Sequence, residues 1–121
     1  MPSSRRSPSP EVAALRKAAE GIVRQLRDEA RRQARLIRSA AAGQLTEADV
    51  ERMAEDITAA ARARLDAAVP QFEGLPADPG LPVTRREAAE LITVATHQAE
   101  AVVRRAWQDR QENSAGRRWR R

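Results

Sequence analysis

The stretch that decides the fold is EVAALRKAAEGIVRQLRDEARRQARLIRSAAA, residues 11–42. At about 100° per residue, Val12, Leu15, Ala19, Ile22, Val23, Leu26, Ala30 and Ile37 share one face of a helix. Arg24, Arg27, Arg31, Arg35 and Arg38 lie on the opposite face. Their spacing of every third or fourth residue holds them in one row, about 21 Å long. Glu20 is the acid squarely on that side, and Asp28 sits at its edge. Ser9 supplies an N-cap, Pro10 a first-turn proline and Gly43 a stop, so the helix is predicted over residues 10–42. Gly21 weakens it locally by about 1 kcal/mol relative to alanine.

Two further helices follow from the same logic. Leu45-Thr46-Glu47-Ala48-Asp49-Val50 has the form of a helix start, with Thr46 as cap, Asp49 as the capping-box acid and Leu45 stapling onto Val50. This second helix is predicted over residues 46–69, ending before Pro70, with Val50, Met53, Ala54, Ile57, Ala60, Ala61, Leu65 and Ala68 along its apolar stripe. Residues 11–42 carry eight cations against four acids, and residues 43–70 carry three against six. A basic helix and an acidic one joined by a short turn are expected to form an antiparallel hairpin. Residues 70–83 hold Pro70, Pro76, Pro79 and Pro82 with Gly74 and Gly80, a linker over which Phe72, Leu75 and Leu81 are expected to pack onto the core. Beyond it, Thr84 as cap and Glu87 three residues on predict a third helix over residues 84–113.

The segment Val83–Val94, VTRREAAELITV, resembles the first helix of excisionase-type helix-turn-helix domains, in which a threonine cap precedes EAAELL. Those domains turn next at a glycine. Thr93 holds that place here, and ATHQAEAVVRRA continues a helical period, so one long helix is expected and no recognition residues are carried over.

The expected architecture is therefore all-α: three long amphipathic helices in one domain over residues 10–113, flanked by a disordered arm, residues 1–9, and a disordered basic tail, residues 114–121. Leu15, Ile22, Leu26, Val50, Ile57, Leu65, Leu91, Ile92 and Val102 are the predicted core. That core is thin. Leu, Ile, Val and Phe make up 21 of 121 residues, while alanine contributes 25 and buries little area. Such a chain is a candidate for self-association or for a partner protein. No internal repeat is apparent beyond the shared helical period.

Chemistry in the sequence is sparse. Cysteine is absent, which removes disulfides and thiolate zinc sites. His97 is the single histidine, on the polar face of the third helix. No phosphate-binding glycine loop, zinc spacing or nucleophile elbow is present. Neither a membrane span nor a secretory leader is seen, so a cytoplasmic location is the expectation, with no cofactor, no metal and no small-molecule substrate. Net charge is +5, and every cation but Lys17 is arginine, whose planar fork suits phosphate and carboxylate.

Two non-enzymatic functions compete. In the first, Arg24, Arg27, Arg31, Arg35 and Arg38 contact nucleic-acid phosphates, helped by Arg117, Arg118, Trp119, Arg120 and Arg121, where the indole offers a stacking surface. In the second, the chain is a structural module that forms a helical homo-oligomer or docks on an acidic protein surface.

Overall fold

A computed structural model describes residues 10–69 and 80–119. It contains three helices, α1 (Pro10–Ser39), α2 (Glu47–Ala68) and α3 (Leu81–Trp119), and no strand among the described residues. The predicted arm, residues 1–9, most of the linker, residues 70–79, and Arg120 and Arg121 lie outside them.

The first helix ends three residues earlier than its pattern predicts, at Ser39. Gly43, at φ +83°, supplies the left-handed turn that reverses the chain. The Gln44 side chain accepts the Ala41 N–H at 2.9 Å, and the Gln44 N–H donates to the Ala41 carbonyl at 3.1 Å. α2 then opens as the sequence predicts. The Thr46 N–H donates to Asp49 Oδ2 at 2.9 Å, and the Asp49 N–H donates to Thr46 Oγ1 at 3.2 Å. These hydrogen bonds hold the Asp49 carboxyl below the usual aspartate range.

The start of α3 corrects the sequence reading. Thr84 is not its cap. The helix begins at Leu81, and both the N–H and the hydroxyl of Thr84 donate to the Gly80 carbonyl, at 2.9 and 2.8 Å. Pro82 fits in this first turn because its missing N–H would have had no partner there. Glu87 is released from capping and pairs instead with Arg16 on α1 at 3.9 Å. At the other end the helix does not stop at Asn113, and its backbone continues through residues 114–119 where a disordered tail was expected. The continuity across Thr93 agrees with a single long helix, not a helix-turn-helix.

α1 packs against both α2 and α3. α2 folds back along α1, so Met53 near its start lies beside Leu36 and Ser39 at the end of α1. α3 runs antiparallel to α2 and parallel to α1. Arg104 late in α3 grips Glu51 early in α2 with two bonds of 2.9 Å, while Arg38 at the end of α1 meets Asp109 near the end of α3. The bidentate pair holds Glu51 below the usual glutamate range, chiefly through the hydrogen bonds from Arg104. A carboxyl depressed on folding contributes fully above the ordinary carboxylate range, and the contribution is lost as pH falls through the depressed value. Glu51→Gln is therefore expected to flatten the acid side of a plot of Tm against pH below about pH 4.5. A variant whose acid limb overlays that of the parent would remove this pair from the acid response.

The buried centre is Ala19, Ile22, Val23, Leu26, Ala30, Ala34 and Ile37 from α1, Val50, Ala54, Ile57 and Ala61 from α2, and Ala88, Ile92, Ala95, Ala99, Val103 and Ala106 from α3. Leu15, Ile22, Leu26, Val50, Ile57 and Ile92 are buried as predicted, and Leu65 is half-buried. Leu91 and Val102 are not in the core, with 44% and 40% of their surface exposed. Alanines take those places because small side chains let the helix axes approach closely. Thr84 and Thr96 are buried too, each with its hydroxyl bonded to a carbonyl one turn back. Thr58 differs, since its buried Oγ1 has no hydrogen-bond partner among the described residues. Thr58→Val keeps the shape and a similar helix propensity while removing that hydroxyl. It is expected to raise stability by about 1 kcal/mol, read as a higher midpoint in urea. A lower midpoint would mean the hydroxyl is satisfied in solution.

Candidate nucleic-acid interface

The five arginines predicted to form a row on α1 are all exposed. Arg24, Arg27, Arg31 and Arg35 make no ion pair among the described residues, whereas Arg38 meets Asp109 at 3.4 Å. Arg38 is thus partly withdrawn from the row, because Asp109 also takes Arg105 at 3.4 Å. Arg117, Arg118 and Trp119 continue the helical backbone of α3, and Arg120 and Arg121 lie outside the described residues.

The register between α1 and α3 explains which arginines are free. Arg16 meets Glu87 and Arg38 meets Asp109, each 71 positions further along the chain. The same offset sets Arg27 beside Gln98 and Arg31 beside Val102 in the groove between the two helices. Carried along the row, it sets Arg24 level with Ala95 and Arg35 level with Ala106. Acids stand opposite Arg16, which precedes the row, and opposite Arg38, its last member, with only neutral residues opposite the four arginines between. Two ion pairs therefore close the groove at its ends, roughly 33 Å apart, with four unpaired cations between them.

These cations repel one another. Neighbours one turn apart stand about 6 Å from each other, and two unit charges at that distance in water cost about 0.7 kcal/mol before screening. Glu20, on the same side as the row, forms no ion pair with it among the described residues. A polyanion laid along the row removes the repulsion. Glu29 binds Arg32 at 2.9 Å and Gln33 at 3.0 Å, and Glu51 takes Arg104.

The signal for this arrangement is in the sequence, as a repeat longer than the helical period. Arg16, Arg27 and Arg38 stand eleven apart, and so do Glu87, Gln98 and Asp109. Gln98 is the neutral member of the second series, and it leaves Arg27 without a carboxylate. Leu91 and Val102 share this period and rise from the α3 side of the groove, while Val94 is 55% exposed beside them. His97 is exposed, and no group of three His, Asp or Glu side chains among the described residues could hold a metal ion. No helix among the described residues is long and apolar enough to cross a membrane. No protein-family model, no curated protein and no solved structure matches the chain.

Proposed function

We propose that this chain is a non-catalytic helical protein that associates with nucleic acid through the arginine row of α1. The observation that carries the reading is the stretch of four free arginines between two ion-paired ends. A duplex backbone is a regular line of negative charge, and each phosphate neutralised by an arginine releases condensed counterions. Arginine forks suit phosphate oxygens, and side chains on a helix surface reach a backbone without reading base edges. Binding is therefore expected to be salt-dependent and indifferent to sequence. The test is a duplex titration across a salt series, comparing the full chain with a variant in which Arg27, Arg31 and Arg35 are all glutamine. Equal salt slopes for the two proteins would rule out the row as the contact surface.

A second reading, docking on a protein, draws support from a different observation: the aliphatic side chains Leu91, Val94 and Val102 that α3 leaves exposed, Val102 beside Arg27 and Arg31.

A further inference from the structure

The groove between α1 and α3 has two unlike walls. On the α1 side stand Arg27 and Arg31, and on the α3 side Val102 and the neutral Gln98, with Ala30, Ala95 and Ala99 between them. Towards the start of α3 the groove reaches Leu91, where Arg16 and Glu20 stand on the α1 side, and Val94, one turn on from Leu91, is exposed on the outer side of α3. Phosphates would satisfy the first wall and leave the second in water. An exposed aliphatic stripe next to a cationic row calls for an occupant that is apolar on one side and anionic on the next.

We infer that this groove seats an acidic amphipathic helix of a protein partner. Its aliphatic stripe would lie on Leu91, Val94 and Val102, and carboxylates every third or fourth residue on the adjoining flank would meet Arg24, Arg27, Arg31 and Arg35. The alanine floor admits a close approach of the incoming backbone. Between the Arg16–Glu87 and Arg38–Asp109 pairs there is room for about 22 helical residues. A second copy of the chain is a poor occupant, because it would bring its own arginine row to the same place. The chain's acidic helix, α2, is also unsuited, since its apolar face is already spent on Val50, Ala54, Ile57 and Ala61 in the core. The inference goes beyond nucleic-acid association and does not require it. A docked helix would cover the row and exclude a polyanion.

The test uses the full chain with its leucine and valine methyl groups labelled for NMR, and two synthetic peptides of identical composition. One peptide places leucines along a helical stripe with glutamates beside it, and the other scrambles the order so that no stripe forms. The striped peptide is expected to shift the methyl signals of Leu91, Val94 and Val102 and to bind at least tenfold more tightly than the scrambled one. Leu91→Gln with Val94→Gln, both at exposed positions, is expected to remove that advantage while helicity and duplex binding are unchanged. Equal binding of the two peptides, or a full-strength striped complex with the double variant, would overturn the groove and leave only charge attraction. A DNA duplex that moves the same three methyl groups and binds the double variant more weakly would overturn it in favour of nucleic acid. Failure of Arg27→Gln/Arg31→Gln/Arg35→Gln to weaken duplex binding tests the earlier reading alone.

Discussion

Ile57→Asp is expected to unfold the domain. α2 contributes four buried residues, Val50, Ala54, Ile57 and Ala61, and Ile57 is the largest of them. At 5% exposure it lies inside the contiguous core between the three helices. Deleting a buried isoleucine side chain costs about 2–5 kcal/mol through lost transfer and the cavity left behind. An aspartate there adds an unpaired charge in an apolar site, which costs several kcal/mol more even if the group takes up a proton. Domains of this kind are stable by only about 5–15 kcal/mol. This core sits at the weak end, since nine of its nineteen buried apolar side chains among the described residues are alanine. The variant should lose most of its helical circular dichroism at 25 °C, while Ile57→Val loses only about 1 kcal/mol. A cooperative melt for Ile57→Asp near that of the parent would mean that α2 does not pack as described.

The second large effect concerns the arginine row. Arg27→Gln/Arg31→Gln/Arg35→Gln removes three cations and keeps three good helix formers, so the fold should persist. If all three touch duplex phosphates, the slope of log K against log salt should become shallower by about 2.7, from about 0.9 per contact. Affinity should fall by a similar factor for every duplex sequence, because phosphate contacts position a protein without reading bases. Deleting residues 114–121 separates the contribution of Arg117, Arg118, Arg120 and Arg121, since a basic terminus alone binds duplexes non-specifically. A triple variant with the parent's slope would exclude α1 as the site, whatever the deletion does.

Much of this fold is legible in the sequence because it rests on local rules. The capping box at Thr46 and Asp49, the turn at Gly43 and the stripe from Leu15 to Ile37 are short-range patterns, and each appears in the structure as its residues dictate. The misreadings arise where tertiary packing decides. Thr84 has the look of a cap, but a buried threonine one turn inside the helix carries the same local pattern. Leu91 and Val102 look like core because leucine and valine are more apolar than alanine. The contact line of α3 runs through Ala88, Ile92, Ala95, Ala99, Val103 and Ala106, all on the face its helical period marks as apolar, and Leu91 and Val102 fall at the edge of that face, where close approach favours alanine. The row was legible as a row. Which of its arginines are free was not, because that depends on where α3 sets its acids, and the helical wheel of α1 alone holds no such information.

The constant offset of 71 between α1 and α3 has a consequence for shape. It holds from Arg16–Glu87 to Arg38–Asp109, two spans of eleven residues. Eleven residues close on three turns at about 3.67 residues per turn, slightly more than the 3.6 of a straight helix. A seven-residue repeat would wind the two helices around each other to the left. An eleven-residue repeat gives them a slight coil of the opposite hand and keeps them nearly side by side. The cationic edge and the aliphatic edge therefore stay on one side of the molecule along the whole pair. A rod-like target can lie against that side without having to follow a spiral.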